Sequence, residues 1–411
     1  MSDRRLQKLR DRLDGAGCDA LLVSQLTNIL YLSSFRGSAG HLLITPQRQY
    51  LITDFRYHER VRREVDPAWE LVDNTGLDLT GEVLPRLLSL EKVRRLGFES
   101  EHASHDAWTR LSRLARGAAA GATAGAGATA ETGATAEAGA IAAAGATAGA
   151  GAAAGATATA MAGAAGAAVA LVPTRGLVEG LREVKEPGEI ARIRAAVRLG
   201  ERIFAELLPM IGPGVTEADL AAEVEYRARR HGATACSFPP IVASGPRAAQ
   251  PHAGATREPL VPGAPLILDL GVVLDDYCSD MTRTVFFREC PPRWRAIYEL
   301  VREAKDRAFA SVAPGVAARA VDAVAREIIG QAGYGEQFRH GLGHGVGLPF
   351  KGGPTLNWTS VDVLRPGHVA SCEPGIYLPG EGGVRIEDLF VVTESGAENL
   401  NALPTDLLVV G

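Results

Sequence analysis

The sequence predicts an α/β protein of two domains, in which the second domain is an α+β domain made of two similar halves. Its 411 residues are enough to bury two hydrophobic cores. Strand-like and helix-like patterns alternate along the first part of the chain, and one pattern of turns, helices and strands recurs in the second part. We place the two domains at residues 1–180 and 181–411.

The first domain is predicted from short apolar runs that alternate with charged, amphipathic stretches up to about residue 116. The runs at Ala20–Val23 and His41–Ile44 are typical of strands. Residues 117–168 then consist almost entirely of Gly, Ala and Thr, which leave little side chain to bury and weaken helices. We interpret 117–168 as a flexible insertion, after which residues 169–173 predict one more strand of the first domain.

The second domain begins with a helix and contains an internal repeat. The helix is predicted from Glu186 onward, because a proline follows at the first helical position and apolar residues then recur at helical spacing. A Pro-Gly pair at Pro213 precedes a helix that ends at Gly232, and another at Pro314 precedes a helix that ends at Gly333. The equal spacing predicts two copies of one helix-helix-strand-strand unit about a pseudo-twofold axis.

The first half of the repeat predicts a β-hairpin that brings two aspartates together. Two strand-like runs are joined by a polar turn at Asp275 and Asp276. A hairpin centred on this turn pairs Asp269 with Thr282, and it turns Asp269 and Asp280 to the same face of the sheet. The two aspartates are then close enough to share a cation.

The second half of the repeat predicts a similar approach of two glutamates. The turn-rich residues 374–383 lie between Glu373 and Glu387, and residues 384–392 predict a strand. A Pro-Gly pair precedes Asp269 by the same six residues as another precedes Glu373. Asp269 and Glu373 are therefore predicted to occupy equivalent places on either side of the axis.

These four carboxylates predict a metal centre, because such groups cannot stay ionised side by side at the ends of apolar strands without compensation. Two divalent ions would neutralise them. His344, in the glycine-rich run HGLGHGVG, adds a nitrogen ligand. We expect manganese, with cobalt, zinc or iron as alternatives. Taken singly, an acidic residue beside a turn or a loop histidine is more often a solvated surface group, so the prediction depends on the whole set.

Composition excludes several classes of partner. Lys plus Arg total 43 against 48 Asp plus Glu, which leaves no basic excess for nucleic acid or anionic lipid. We find neither a signal peptide nor an apolar run of about 20 residues that would span a bilayer. The five cysteines form no C-x-x-C pair and fit reduced thiols. We therefore expect a cytoplasmic protein with a small ligand.

The ordered runs LILDLG, DYCSDMTRT, HGLGHGVG, CEPGIY and GGVRIED resemble the metallopeptidases of the pita-bread fold, family M24, which include aminopeptidase P and prolidase. The runs TNILYL, FRGSAG and TDFRY resemble the creatinase-like N-terminal domain of the same enzymes. The resemblance implies a homodimer that hydrolyses Xaa-Pro bonds of short peptides with two divalent ions. It places the metal ligands at Asp269, Asp280, His344, Glu373 and Glu387.

The resemblance also implies roles for residues around the metals. His252 matches the substrate-side histidine of the family, and we expect it to stabilise charge on the substrate carbonyl while Glu373 moves the proton. His340 and Arg385 are further candidates for substrate binding. Lys351 stands where these peptidases usually carry another histidine. It replaces that histidine as a fixed charge, binds a product-side carboxylate, or faces solvent.

Several functions stay open at this point. An Xaa-Pro aminopeptidase is the first expectation and an Xaa-Pro dipeptidase a close second. A relative that acts on another amide or C–N bond is an alternative within enzymes, although the complete ligand set argues against a metal-free member. A binding module of the same fold is the alternative outside enzymes.

Overall fold

The computed structural model of this chain describes residues 2–123 and 169–411. The chain forms two compact units, one of Arg10–Arg175 and the other of Gly176–Gly411 with the N-terminal segment Asp3–Leu9. Helix α5 continues to Thr123, so it includes the first residues of the insertion predicted at 117–168. The alanines in this stretch favour a helix. The rest of the predicted insertion lies outside the described residues.

The first unit contains a six-stranded sheet in the order β4-β3-β2-β1-β5-β6. Its neighbouring strands are parallel, except that β2 is antiparallel to both β1 and β3. The strand predicted at 169–173 is confirmed as β6, which extends the sheet beside β5. The strands are β1 (Ala20–Val23), β2 (His41–Ile44), β3 (Gln49–Thr53), β4 (Glu70–Asp73), β5 (Arg95–Glu99) and β6 (Ala170–Thr174). The helices that begin before this last strand are α1 (Ser2–Leu13), α2 (Leu26–Ser33), α3 (His58–Glu64), α4 (Leu84–Leu90) and α5 (His105–Thr123). Residues Asp3–Leu9 of α1 belong to the second unit.

The second unit contains the remaining helices and strands. A four-stranded sheet has the order β20-β12-β9-β8, and a five-stranded sheet has the order β14-β13-β15-β18-β19. Two smaller sheets, β11-β10-β7 and β16-β17, extend from them. The helices are α6 (Glu179–Arg182), α7 (Pro187–Leu207), α8 (Glu217–Arg230), α9 (Pro292–Ala310) and α10 (Ala318–Gln331). The strands of the first half are β7 (Ala235–Cys236), β8 (Ile241–Ser244), β9 (Pro265–Leu270), β10 (Val272–Leu274), β11 (Tyr277–Cys278) and β12 (Met281–Phe287). The strands that follow are β13 (Gly343–Gly345), β14 (Gly352–Leu356), β15 (Val369–Cys372), β16 (Gly375–Leu378), β17 (Gly382–Arg385), β18 (Asp388–Val392), β19 (Ala397–Asn399) and β20 (Leu408–Val410).

The predicted repeat is confirmed within this second unit. Helices α8 and α10 have the same length of 14 residues. Each helix follows a glycine with a positive φ, which is 79° at Gly214 and 83° at Gly315. Each helix is also followed by such a glycine, with a φ of 96° at Gly232 and 87° at Gly333. Glycine adopts these angles without the strain that they impose on most other residues, so the same turns begin and end the same helices in both halves.

Each half also has its own core. In the first half, α7 and α8 pack on β9 and β12, and in the second, α9 and α10 pack on β15 and β18. The predicted helix start at Glu186 is confirmed, because Glu186 and Glu189 form a reciprocal capping box before α7. Among the described residues, no helix is both long enough and apolar enough to cross a bilayer.

Candidate metal centre

The hairpin predicted in the first half is present with the predicted register. Asp269 in β9 faces Thr282 in β12, and the turn at Asp275 and Asp276 has positive φ at both residues. The strand is broken at the same height in both arms of the hairpin. One break lies at Gly271, between β9 and β10, and the other lies between β11 and β12. A side chain at Gly271 would collide with the carbonyl oxygen of Ser279, so glycine is required at this kink.

The second half contains an equivalent kinked hairpin, which corrects two predictions. The residues predicted as a turn-rich stretch, 374–383, contain strand β16 and the start of β17. The single strand predicted at 384–392 is two strands, β17 and β18, separated at Glu387. The break has a physical cause, because the backbone N–H of Glu387 donates to the carbonyl oxygen of Thr282 (3.1 Å) in the first half. At Glu387 the chain therefore stops pairing within its own hairpin and bonds to the hairpin of the first half.

The structure brings all five predicted metal ligands together. Asp269, Asp280 and Glu387 are buried, and each offers a carboxylate oxygen within 4.8 Å of the other two. The Nε2 atom of His344 lies 3.5 Å from Oδ2 of Asp280 and 3.6 Å from Oε1 of Glu373. The cluster contains four carboxylates and one imidazole, contributed by both halves of the second unit.

Burial dominates the electrostatics of this cluster. It raises the pKa of Asp280 well above its ordinary value, and the charge of Glu387 raises that pKa further. Burial also raises the pKa of Glu387 well above its ordinary value, with Glu373 adding to the rise. For His344 burial lowers the pKa to about 4, so that its imidazole is neutral and able to bind a metal ion at neutral pH. The carboxylates therefore repel one another unless cations lie between them.

Two carboxylate oxygens at the site fit a bound cation directly. Oδ1 of Asp269 and Oε1 of Glu387 are buried and have no hydrogen-bond donor. Buried polar atoms normally have a partner, and an ion is one of the few explanations for such an exception. Four carboxylates with one imidazole also form a donor set suited to a divalent first-row metal. The residues present thus fit the predicted group.

A chain of hydrogen bonds connects the other oxygens of these carboxylates to the protein. Thr282 Oγ1 donates to Glu387 Oε2 (2.7 Å) and accepts from Nε of Arg385 (3.0 Å). Nη2 of Arg385 donates to Asp269 Oδ2 at 2.5 Å, and its Nη1 donates to the hydroxyl oxygen of Tyr377 at 2.9 Å. That hydroxyl is also 2.9 Å from Nε2 of His340. The three guanidinium nitrogens of Arg385 and the Nε2 atom of His340 therefore all have protein partners.

Sequence reasoning missed the contributions of Thr282 and Tyr377 to this chain of bonds. The predicted register places Thr282 directly opposite Asp269, so its proximity to the carboxylates was available from the sequence. No comparable signal exists for Tyr377, which reaches Arg385 across the ribbon formed by β16 and β17. Ser371, whose hydroxyl donates to Glu373 Oε1 (3.1 Å), was missed as well.

The two remaining predicted residues lie on exposed segments beside the cluster. His252 is exposed, and the carbonyl oxygen of the preceding Pro251 accepts from Nη1 of Arg385 (3.1 Å). Burial lowers the pKa of His252, and the positive charges of Lys351 and Arg385 lower it further. Lys351 is exposed, with its Nζ 5.3 Å from the centre of the Phe350 ring. That ring in turn packs edge-on against the imidazole of His344, with centroids 5.3 Å apart.

Comparisons with known proteins agree with this architecture. The family model "Metallopeptidase family M24" matches residues 191–394, and the "Creatinase/Prolidase N-terminal domain" matches residues 5–127. The chain is 31% identical over 408 residues to the uncharacterized peptidase YqhT of Bacillus subtilis, an alignment that covers 99% of this chain and 100% of the relative.

Solved structures of similar proteins cover all or nearly all of the chain. The Xaa-Pro dipeptidase from Bacillus anthracis superimposes with a TM-score of 0.84 at 32% identity and covers 100% of both chains. The X-Pro aminopeptidase from Thermotoga maritima gives a TM-score of 0.79 at 31% identity and covers 96% of this chain and 98% of that one. These similarities confirm the predicted fold class, a creatinase-like N-terminal domain followed by a pita-bread catalytic domain.

Proposed function

This chain belongs to metallopeptidase family M24 and is a hydrolase of peptide bonds, and from that premise we propose that it is an exopeptidase that cleaves Xaa-Pro bonds of short peptides. Two similar solved structures are described as an Xaa-Pro dipeptidase and an X-Pro aminopeptidase. The observation that carries the proposal is the buried cluster in which carboxylates of Asp269, Asp280 and Glu387 meet. Such a cluster is costly to the fold and is explained by metal-dependent chemistry.

We propose that the five clustered side chains hold two divalent ions. Manganese is the expected metal, with cobalt, zinc and iron as alternatives. Bound ions would lower the pKa of a water molecule and polarise the substrate carbonyl. The unpaired oxygens of Asp269 and Glu387 support this assignment, since a cation would satisfy both.

Glu373 and His252 are the proposed catalytic residues. Burial raises the pKa of Glu373 to about 7, and Ser371 holds its Oε1. With Oε1 held in this way, we propose that the other oxygen of the carboxylate takes a proton from the attacking water and gives it to the proline nitrogen of the leaving group. His252 lies on the exposed side of the cluster, where it would donate to the substrate carbonyl oxygen as negative charge develops.

His340 and Arg385 act on the substrate through other groups in this proposal. Arg385 is 3% exposed and its guanidinium donates to Asp269 and Thr282, so it would orient a metal ligand. His340 reaches Arg385 through the hydroxyl of Tyr377. Direct contact of His340 or Arg385 with substrate stays a prediction, as do a homodimer and a cytoplasmic location.

A pair of parallel assays tests this function. Metal-stripped protein is supplied with manganese or left without it, and proline release from Ala-Pro is measured beside alanine release from Ala-Pro-Ala. We expect cleavage of at least one peptide, and only with metal. If metal-loaded protein cleaved neither peptide, the site would act on another amide or C–N bond, or serve binding alone, and the proposal would be wrong.

A further inference from the structure

Lys351 presents a positive charge at the exposed edge of the metal centre. Its ammonium group lies over the ring of Phe350, which packs against the ligand His344. No carboxylate of the described residues forms an ion pair with Lys351, although the second unit is rich in surface ion pairs. The charge is therefore available to a ligand.

Two phenylalanine rings, those of Phe238 and Phe350, form an aromatic wall beside this ammonium group. The rings of Phe238 and Phe350 pack with centroids 4.5 Å apart. Phe238 also touches the kink at Gly271, where a Cβ atom would lie 3.0 Å from its ring. Because Gly271 lies within the hairpin that carries the two aspartates, the two rings extend from that hairpin to His344. This surface suits the apolar ring of a proline next to the scissile bond.

We propose that Lys351 binds the free α-carboxylate of an Xaa-Pro dipeptide whose proline ring lies against Phe238 and Phe350, so that the chain acts as an Xaa-Pro dipeptidase. This inference rests on the proposed function, and it names the substrate class. It also reverses the order of the two expectations drawn from the sequence, in which the aminopeptidase stood first.

The charge distribution favours a dipeptide over a longer peptide. In a dipeptide the carboxylate is attached directly to the proline, whereas in a tripeptide a neutral amide occupies that position. An ammonium with three donors binds a carboxylate by a charge-assisted hydrogen bond and gains much less from an amide carbonyl. An imidazole at the same position would be largely neutral near pH 7 and would distinguish the two substrates less.

Three substrates and three variants test the inference on the metal-loaded protein. Ala-Pro, its C-terminal amide and Ala-Pro-Ala differ in whether the proline carries a free carboxylate. We expect kcat/KM of the wild type to be higher for Ala-Pro than for the amide by about tenfold or more, mainly through KM. In K351M this ratio falls towards one, and in K351R it is retained. K92M, which removes an exposed lysine from the other unit, serves as the matched control.

Inhibition of the wild type gives a second measurement that needs no variant. Proline should inhibit at a concentration about tenfold lower than prolinamide, and added salt should narrow the difference. Equal kcat/KM for Ala-Pro and its amide, or an unchanged ratio in K351M, would overturn the inference while leaving the proposed function intact. Absence of hydrolysis of all three substrates would overturn the proposed function and the inference with it.

Discussion

Two hairpins carry the carboxylates of the candidate metal centre, and they are kinked alike but joined differently. In the first, a two-residue turn at Asp275 and Asp276 joins β10 to β11. In the second, three residues around Gly380 join β16 to β17, with Leu378 facing Gly382. A break near the acidic residues divides each hairpin in two. On one side of the break is an inner pair of strands, β9 with β12 or β15 with β18. On the other side is an outer ribbon, β10 with β11 or β16 with β17.

The outer ribbons differ in what they contribute. The ribbon of the first hairpin pairs with β7 and completes a small sheet. The ribbon of the second carries Tyr377 and Arg385, whose hydrogen bonds end on Asp269 of the first hairpin. The outer ribbon of the second hairpin thus carries groups that hold a proposed ligand, whereas the outer ribbon of the first hairpin carries none of the bonds described here, and Thr282 in its inner pair of strands holds Glu387. The repeated unit places the carboxylates similarly in the two halves, whereas the two ribbons differ in the groups that bond to these carboxylates.

The largest expected effect is loss of a ligand from the first hairpin. Asp280→Asn removes a charge that the metals need, so we expect kcat/KM for an Xaa-Pro peptide to fall by about 10³-fold or more. The control is Asp275→Asn at the tip of the same hairpin, where asparagine tolerates the left-handed backbone. The control should keep activity within about twofold, because surface substitutions away from a site have small effects. Equal losses in both variants would mean that the hairpin acts through stability alone.

A smaller effect is expected from the second ribbon. Arg385→Met removes the donors to Asp269 and Thr282, and changes of this kind typically cost about 10–100-fold in activity or metal affinity. The matched control is Arg293→Met, because Arg293 pairs with Glu381 at the tip of that ribbon. Metal affinity measured by calorimetry should fall for the first variant and not for the second. Unchanged metal affinity in Arg385→Met would show that the two ribbons do not differ in the proposed way.

The smallest effect is a pH dependence of stability. The pKa values of Asp280 and Glu387 are raised in the folded chain, so these groups bind more protons folded than unfolded. Because of these two carboxyl groups, the free energy of unfolding falls as the pH rises. The lowered pKa values of His340 and His344, about 4, act oppositely but only below about pH 6.5.

Above about pH 6.5 the histidines no longer oppose the carboxyls, so the metal-stripped protein should lose unfolding free energy as the pH rises from about 6.5 to 8. Denaturant titrations across this range measure the loss. Metal-loaded protein should show a flatter profile, because cations replace the protons. A stripped protein that became more stable over the same range would contradict the raised pKa values.

The first hairpin was predictable from the sequence down to its register. Its two-residue turn at Asp275 fixes which residues face each other, and local pairing then places Asp269 opposite Thr282. The repeated turns before and after α8 and α10 were predictable for the same reason, since positive φ at Gly214 and Gly315 is a local property.

The second hairpin was only partly predictable. The break at Glu387 depends on a bond to Thr282, and nothing local to residues 384–392 indicates that the opposite hairpin lies there. The wall formed by Phe238 and Phe350 joins residues far apart in the chain, so it appears only once the sheets are assembled. Local pairing can be inferred from spacing, whereas contacts between the halves require the packed core.

The most direct test of the central claim, that the two hairpins together hold two divalent ions needed for Xaa-Pro hydrolysis, is a manganese titration of the stripped protein. Calorimetry counts bound ions per chain while proline release from Ala-Pro is measured at each point. We predict binding of two ions per chain and hydrolysis that appears only as the sites fill. Hydrolysis at full rate in the presence of a chelator, or saturation without any hydrolysis of Xaa-Pro peptides, would contradict the account.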